Sequence, residues 1–506
     1  MLTGMTATEE AADGVTEFFR GYTTIWRDFV AAIKARSGAS SALAYWFDCY
    51  WKNIAVAVFT VIALILLIII RRKLRLPREL QSSWPLFADG IVFGKRLGRW
   101  ITSPTADEGH VGVFSATGTG KTYTVGVPTL QHWRGTAFVI DISGDICRQI
   151  RGRKLVFDIE DPSSLPYNIL ADIDDMTSDT AKLEGLRKLA LLVMPDPLHF
   201  GSGAERFFHE GGRKIFTAAL IAGYFSGEDF VQICQRVASS SWRDLFKWID
   251  SSNNTEARSY INEFEGQKDA DISGCKSNCD RAIDLFAHSE TLQQIVRRPH
   301  AGEDYIIPSR VEQTSIYCCV PDVDLRYYSP LVNIITAQIM QYISARKTAR
   351  KTQQILLFLD EFSSFHLSAD VILEALQKYR KKRTRIMIMT QNIADLNRLY
   401  GNDTARSLLS NMAYKVLLGG LDDPESARYF ADVIGYRKAR KISYGTTESG
   451  NLLTSPTSRS TTASENREYV IEPADLDRIG RQKMILLHKS IKPYSYLKLR
   501  KTRHLR

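Results

Sequence analysis

The sequence predicts an α/β fold with a mainly parallel β-sheet, an all-α domain inserted into it and one transmembrane helix near the N-terminus. Short apolar, β-rich runs bounded by polar or glycine residues are typical of strands buried in a parallel sheet. Six such runs occur, at 111–115, 136–141, 154–158, 354–359, 384–389 and 414–418. Residues 172–308 instead show helical periodicity with little strand signal, and residues 54–70 form an uncharged apolar run.

Length and composition exclude several classes of protein. The chain has 506 residues, of which 44% are apolar and 24% charged, so it is not wholly disordered, collagenous or coiled-coil. Lys plus Arg exceed Asp plus Glu by 66 to 56, which favours an anionic partner, either nucleic acid or a membrane. Seven cysteines form an odd, sparse set, and their spacing predicts no disulfide framework.

The run at 54–70 contains Thr60 as its one polar residue and is long enough to cross hydrocarbon as a helix. Five cations follow between 71 and 78, whereas aromatic residues precede the run. This asymmetry predicts a single-pass protein in which residues 1–53 are external and the remainder is cytoplasmic. A buried core helix is the alternative, but such helices keep a polar face.

The remaining boundaries follow from these changes in pattern. A basic juxtamembrane linker spans 71–84, and the two parts of the sheet domain span 85–171 and 309–506, on either side of the all-α domain at 172–308. Between 171 and 310 there are 22 acidic and 16 basic residues, so this region carries −6 and the rest of the chain +16. Eleven Ser or Thr among the 21 residues at 445–465 predict a mobile loop, and a basic C-terminal tail ends the chain.

The first apolar run leads directly into a glycine-rich segment that precedes a helical stretch, the context of a phosphate-binding P-loop. Its sequence is Ser115-Ala116-Thr117-Gly118-Thr119-Gly120-Lys121-Thr122. Gly118 and Gly120 allow backbone N–H groups to surround phosphate, Lys121 reaches the β- and γ-phosphates, and the Thr122 hydroxyl binds Mg²⁺. Ser115 stands where the general pattern has glycine, and a simple strand-to-helix turn is the alternative interpretation.

Two carboxylates, Asp360 and Glu361, follow the apolar run at 354–359. A strand in a parallel sheet places charge at the carboxyl edge, where ligands bind. Asp360 is predicted to orient Mg²⁺ and Glu361 to polarise the attacking water, although an ordinary strand end or helix cap is the commoner origin of such a pair. Combined with Lys121 and Thr122, the pair predicts a site that hydrolyses ATP with Mg²⁺.

A third strand, Ile386 to Thr390, delivers Gln391 to the same edge, where its amide can hydrogen-bond both the water and the γ-phosphate; a polar helix start is the alternative. Six cations lie among the eight residues at 378–385. A run of this kind is most often a solvated surface, but beside an ATP-binding edge it could supply an arginine in trans, Arg380, or hold a polyanion.

These residues resemble the TraG/TraD class of type IV coupling proteins over most of 85–500. The resemblance rests on the P-loop and on further motifs in the same order: Val127-Pro128-Thr129-Leu130, Val139 to Asp145, Tyr167-Asn168-Ile169-Leu170, Leu359-Asp360-Glu361-Phe362, Thr390 to Leu396 with Tyr400-Gly401, Leu418 to Asp423, and Arg467-Glu468 to Gln482. Family members have a serine or alanine-like residue at the position of Ser115. They usually have a lysine at the position of Ser143, so a nucleotide or interface role of Asp141 to Asp145 is implied less strongly than the roles of the other motifs.

The resemblance implies a RecA-like P-loop ATPase in the bacterial inner membrane that assembles as a homo-hexamer. It would couple the relaxase and relaxosome accessory proteins to a type IV secretion channel and drive single-stranded DNA through it during conjugation. The position of Arg380 after the Asp360-Glu361 motif is similar to that of the family's inter-subunit arginine.

Sequence-independent DNA binding is expected from 378–385 and from the last 26 residues, which carry nine Lys or Arg and no acid. Alternatives are an FtsK/HerA-like motor that segregates double-stranded DNA, for which no separate DNA-reading domain is visible, and a coupling ATPase for secreted protein effectors. A non-enzymatic membrane adaptor would need a decayed site, whereas Lys121, Thr122, Asp360 and Glu361 are all intact.

Overall fold

The computed structural model describes most of the chain from residue 76 onwards. The described residues are 27, 31, 58–66, 76–142, 144–197, 201–349, 351–364, 367–419, 421, 423–447, 458–479, 482–492 and 494–502, with the backbone alone for 439–447 and 458–466. Contacts divide the chain into two units, Met1–Arg75 and Leu76–Arg506. Of the predicted membrane span at 54–70, residues 58–66 are described and helical, and the rest lies outside the described residues. No helix among the described residues is long and apolar enough to cross a bilayer.

One large sheet organises the second unit. The described strands are β1 (Gln81–Ser83), β2 (Ile91–Arg96), β3 (Arg99–Ser103), β4 (His110–Phe114), β5 (Thr136–Ile142), β6 (Lys154–Asp158), β7 (Ser315–Val320), β8 (Ile355–Leu359), β9 (Thr384–Thr390), β10 (Met412–Leu417), β11 (Tyr436–Thr447), β12 (Ser458–Tyr469), β13 (Lys483–Leu487) and β14 (Tyr496–Arg500). All but β11 and β12 belong to one twelve-stranded sheet. Seven neighbours run parallel in the order β10–β4–β9–β8–β5–β7–β6, and antiparallel pairing continues the sheet through β13–β14–β2–β3–β1. The predicted α/β class and its six strands are confirmed.

The central parallel strands are apolar throughout because both faces of the sheet are covered. Every residue of β5, β8 and β9 is buried. Alternate side chains enter two different cores: Leu357 and Leu359 of β8 belong to one, and Leu356 and Phe358 to the other. Burial on both sides therefore explains the continuous apolar runs of the sequence.

Helices fill the connections between these strands. Helices α1 (Val127–His132) and α2 (Asp145–Gln149) follow β4 and β5. Between β6 and β7 the described residues form eight α-helices: α3 (Ala171–Asp174), α4 (Asp179–Val193), α5 (Gly203–Phe225), α6 (Phe230–Ser239), α7 (Trp242–Ser251), α8 (Thr255–Asn262), α9 (Asp269–His288) and α10 (Glu290–Ile295). Side-chain N-caps begin several of them, including Ser178 and the capping box of Asp229 with Gln232. Apolar residues of α4–α10 share one core with a face of the sheet.

The second half of the sheet is connected by α11 (Leu325–Ala345), α12 (Ala369–Lys378), α13 (Ile393–Tyr400), α14 (Asn402–Asn411), α15 (Pro424–Ile434) and α16 (Pro473–Asp477). The predicted mobile loop at 445–465 needs correction, because β11 and β12 pair antiparallel from Tyr436↔Tyr469 to Thr447↔Ser458. Threonine-rich segments favour strands, which explains why residues that look like a loop by composition form a ribbon. Residues 448–457 lie outside the described residues.

Candidate functional site

The P-loop is an extension of the buried strand β4. Ser115, buried, donates its backbone N–H to the carbonyl of Thr390 at the end of β9 (3.3 Å), so the loop begins beside that strand. Gly118 and Gly120 have φ values of +74° and +85°, a left-handed conformation that explains the glycines. The chain then enters a π-helical turn, Thr122–Gly126, which continues into α1. The loop thus presents backbone N–H groups at a helix start, as phosphate binding requires.

Lys121 lies across this loop and is almost completely buried. Its ammonium donates a hydrogen bond to the Ser115 carbonyl (2.7 Å) and lies 3.8 Å from Glu361 Oε2. Burial lowers the pKa of Lys121, while the charges of Glu361 and Asp360 act in the opposite direction. The lysine is therefore a nearly desolvated cation held at the centre of the loop.

Asp360 follows β8, and Thr122 begins the π-helical turn after the P-loop, so the two residues approach each other from different segments of the chain. The Thr122 hydroxyl donates to Asp360 Oδ2 over 3.4 Å. Burial, reinforced by the negative charges of Glu361 and Asp141, raises the pKa of Asp360 to about 7. A buried carboxylate next to further carboxylates favours a cation, and its oxygen together with the threonine hydroxyl offers the hard donors that Mg²⁺ prefers.

Glu361 adopts a left-handed conformation with φ +46°, which is uncommon for a residue with a side chain. Its Oε1 accepts a hydrogen bond from Gln391 Nε2 (2.9 Å), and its Oε2 faces Lys121. The strand register explains why Glu361 contacts both Lys121 and Gln391. Leu359 pairs with Ile388 and Phe114 with Thr390, so β4, β8 and β9 end at the same edge of the sheet. The structure therefore brings together the P-loop, Asp360, Glu361 and Gln391 as predicted.

Residues 80–503 match the family model described as type IV secretory system conjugative DNA transfer. The chain belongs to this family. Two similar proteins are named VirD4: that of Agrobacterium fabrum (strain C58) is 26% identical over 376 residues, covering 70% of this chain and 54% of the relative, and that of Rhizobium radiobacter is 23% identical over 500 residues, covering 91% and 69%. The chain thus spans between about half and about two thirds of the length of these two relatives.

The fold is similar to solved structures of the bacterial conjugative coupling protein TrwB. The unbound form has a TM-score of 0.63 at 16% identity and covers 85% of this chain and 90% of that one. A TrwB complex with ADP and Mg²⁺ has a TM-score of 0.62 at 16% identity and covers 85% and 91%. The family match, together with this similar fold, confirms the resemblance to type IV coupling proteins with a P-loop.

Arg380 does not join the P-loop site of its own chain. It precedes β9, whereas Gln391 follows the same strand, and seven strand residues separate the two edges by roughly 20 Å. Its guanidinium is exposed and donates to the Glu108 carbonyl (3.2 Å). Within one chain this arginine therefore faces away from the P-loop.

The interpretation of the run at 378–385 as a solvated surface is wrong for Arg385. This residue lies within the buried strand β9, is 1% exposed and pairs with Asp107 (3.3 Å). Lys378 pairs with Glu374 (2.7 Å), and Arg383 donates to the Thr352 carbonyl (2.7 Å). The cations at 378–385 are close together in sequence, but in the fold they contact different partners.

Asp141, the first acid of the motif at 141–145, caps helix α2. Its carboxylate accepts the N–H groups of Ile146 (3.2 Å) and Cys147 (2.6 Å). Burial raises the pKa of Asp141 to about 6. Ser143 lies outside the described residues. The described contacts of Asp141 are thus those of a buried helix cap beside Asp360.

Further side chains support the P-loop, and sequence reasoning missed two of them, Lys501 and Thr502. The Ser115 hydroxyl donates to the Gly419 carbonyl (3.0 Å) and contacts the Thr119 hydroxyl, interactions that a glycine at this position would lack. After β14, Lys501 Nζ donates to the Thr119 carbonyl (2.9 Å) and the Thr502 hydroxyl donates to the Thr124 carbonyl. The basic C-terminal residues were the available signal, but they were interpreted as DNA contacts.

Proposed function

We propose that this chain is a membrane-anchored, hexameric ATPase that couples a relaxosome to a type IV secretion channel and drives single-stranded DNA, with its relaxase, across the inner membrane during conjugation. The observation that carries the proposal is the Lys121–Glu361–Gln391 network in a chain of the conjugative DNA transfer family. This network places a carboxylate, fixed by an amide, beside the lysine that would bind the phosphates. VirD4 and TraG relatives and TrwB neighbours support the same function.

ATP and Mg²⁺ fit the residues present. The N–H groups of 115–122 would hold the phosphates, Lys121 would neutralise the β- and γ-phosphates, and Thr122 and Asp360 would hold the metal. When bound, Mg²⁺ would supply charge neutralisation at the transferring phosphoryl group. TrwB complexes with ADP and Mg²⁺ and with a non-hydrolysable ATP analogue support this assignment.

Hydrolysis is assigned to Glu361 and Gln391. The left-handed backbone of Glu361 turns its carboxylate towards Lys121, where the terminal phosphate would lie. Glu361 then orients the attacking water and accepts its proton, and the amide of Gln391 fixes the carboxylate. Because Gln391 immediately precedes α13, loss of the γ-phosphate would be transmitted to that helix.

The membrane anchor and the domain arrangement are part of the proposal. The apolar run at 54–70, followed by cations at 71–78, supports one span with residues 1–53 outside and the ATPase in the cytoplasm. The sheet domain at 85–171 and 309–506 would bind nucleotide. The acidic all-α domain at 172–308 would receive basic relaxosome proteins, because the region from 171 to 310 carries a net charge of −6 while the rest of the chain is positive.

The ATPase rate, measured with and without single-stranded DNA over a range of protein concentrations, tests this function. A motor that assembles on DNA should accelerate with both. A rate per molecule independent of both DNA and concentration would contradict it. Glu361→Gln serves as the control for contaminating hydrolases.

A further inference from the structure

A cleft of about 810 Å³ lies on the antiparallel half of the sheet. Its walls come from the β2–β3 turn, from β13 and β14, and from the segment around α16. Six cations line it, with Asp475 as the one acid among the described lining residues: Lys95, Arg96, Arg478, Lys483, Lys498 and Arg500. The cleft is therefore strongly positive.

Three of these cations form a row across neighbouring strands. Lys483 of β13 is paired with Arg500 of β14, and Arg500 is paired with Lys95 of β2. Directly paired residues point to the same face of a sheet, and like charges in such positions are destabilising. Within the described part of the chain, none of the three has a carboxylate within ion-pair distance.

A β-bulge brings Lys95 into this row. Val92 pairs with Thr102 and Gly94 with Ile101, so Phe93 is the extra residue of β2. Regular alternation would place Lys95 on the same face as Phe93, which is fully buried, but the bulge reverses the alternation and directs Lys95 to the cleft. At Gly94 an added Cβ would lie 2.9 Å from the Arg500 carbonyl, so β2 and β14 approach closely here.

Other cations of the chain show that pairing is available to this fold. Arg297 pairs with Glu303 (2.6 Å) and Arg298 with Asp174 (3.0 Å). In the row of Lys95, Arg500 and Lys483, by contrast, like charges repel each other, although one acidic substitution would relieve this repulsion. A site of this kind is stabilised when an anion occupies it.

We infer that this cationic cleft binds the phosphodiester backbone of the transferred nucleic acid. Adjacent strands lie ~4.8 Å apart, so the row spans roughly 10 Å and meets more than one phosphate. Aromatic side chains are lacking among the described lining residues, so the cleft contacts phosphates and does not stack bases. The inference rests on the proposed function, which supplies nucleic acid as the polyanion.

Charge reversal in the row tests the site in the full chain. In Lys95→Glu/Lys483→Glu, two carboxylates flank Arg500, so the folded state gains cross-strand attraction and its Tm should not fall. The control, Lys188→Glu/Lys247→Glu, makes the same change of net charge on exposed positions of α4 and α7. Both are compared with wild type for binding a labelled single-stranded oligonucleotide over a salt series, for basal ATPase rate and for binding vesicles with anionic lipid.

The cleft variant should bind the oligonucleotide at least ~10-fold more weakly, with a salt slope smaller by about one per lysine, while its basal ATPase rate and the control's affinity stay at wild-type values. Equal losses in both variants would overturn the site, because they would reflect net charge alone. Loss of vesicle binding with intact oligonucleotide binding would also overturn it in favour of a lipid headgroup site. A wild type that hydrolyses ATP without binding or responding to DNA would refute the proposed function itself.

Discussion

Lys121 is the nearly desolvated cation of the P-loop, and its replacement tests the nucleotide site most directly. Lys121→Ala removes the ammonium that hydrogen-bonds the Ser115 carbonyl and would face the phosphates. We expect ATP hydrolysis to fall by ~10²–10³-fold, because the charge that develops in the transition state loses its counter-charge. Phosphate release is the measurement, and circular dichroism checks that the fold is kept. Turnover at the wild-type rate would disprove the site.

Glu361 separates catalysis from binding. Glu361→Gln keeps the shape and the hydrogen bond with Gln391, and Asp360 and Thr122 remain to hold Mg²⁺. Nucleotide affinity should therefore stay close to wild type, while turnover falls ~10²-fold or more because the general base is absent. Fluorescent-nucleotide binding and single-turnover hydrolysis distinguish the two. If affinity collapses together with turnover, Glu361 is a metal or structural ligand.

His110, the first residue of β4, should make stability depend on pH. Its Nδ1 accepts the Ile386 N–H (3.0 Å), so Nε2 carries the proton that is donated to the Leu376 carbonyl (3.0 Å). Burial, with the charges of Arg380 and Arg385, lowers the pKa of His110 to about 3, from 6.5. The unfolded chain therefore binds a proton that the folded chain does not, and stability contributed by neutral His110 is lost as pH falls from about 6.5 towards 3.

The expected loss is up to ~1.4 kcal/mol per pH unit within that window. His110→Gln offers one acceptor and one donor in place of the ring but does not titrate. The variant should thus lose less stability than wild type between pH 7 and pH 5, measured by urea unfolding. Identical pH dependence in the two proteins would show that His110 is not the responsible group.

Which single residues could be predicted depends on how local their signal is. Asp360, Glu361 and Gln391 follow apolar strands, so their position at one edge follows from the sequence. The position of Lys501 beside the P-loop has no local signal in the sequence. Its contact with Thr119 joins residues far apart in the chain and depends on how β14 enters the sheet. The same holds for His110, whose partners lie in α12 and β9.

The segment after β14 should help to order the P-loop. Thr502 donates its hydroxyl to the Thr124 carbonyl inside the π-helical turn, and both residues are buried. Thr502→Val keeps the shape and leaves this carbonyl without that donor, a loss of about 1–2 kcal/mol. We expect nucleotide affinity to weaken about 5- to 30-fold, measured by titration calorimetry. Thr217→Val, which removes a hydroxyl-to-carbonyl bond within α5, is the control and should leave nucleotide affinity intact.

Strands and helices were predictable where one pattern covers the whole element. The buried parallel strands have long apolar runs, and the six predicted runs agree with β4, β5, β6, β8, β9 and β10 within a few residues, whereas β7 was not among them. The antiparallel half was missed because β2, β3, β13 and β14 contain charged residues, and because the pairings of β14 with β2 and of β13 with β10 join segments distant in sequence. The ribbon of β11 and β12 was missed because Ser and Thr are common in both loops and exposed strands.

The P-loop site and Arg380 lie at opposite edges of the parallel sheet, which matters for how subunits could assemble. The carboxyl edge of the parallel strands holds Lys121, Glu361 and Gln391, and Arg380 lies beyond the opposite edge. A monomer therefore has no arginine from 378–385 at its own phosphate site. If the protein forms a ring, a neighbouring subunit can bring this exposed residue to the open site, which is the arrangement of an arginine finger in trans.

Mixing of subunits tests that arrangement. Arg380→Ala should be inactive by itself, because its interfaces lack the finger, although its hydrogen bond to the Glu108 carbonyl contributes little to the fold at an exposed position. Lys121→Ala is inactive because its P-loop fails. In mixed rings, some interfaces join an Arg380→Ala subunit, whose P-loop is intact, to a Lys121→Ala subunit, whose Arg380 is intact. These interfaces are complete, so ATP hydrolysis should partly return. The recovered rate should be proportional to the product of the mole fractions of the two variants. Substituting Lys381→Ala for Arg380→Ala is the matched control and should be active without mixing. Verified mixed rings without recovery, or full activity of Arg380→Ala alone, would assign Arg380 to the surface.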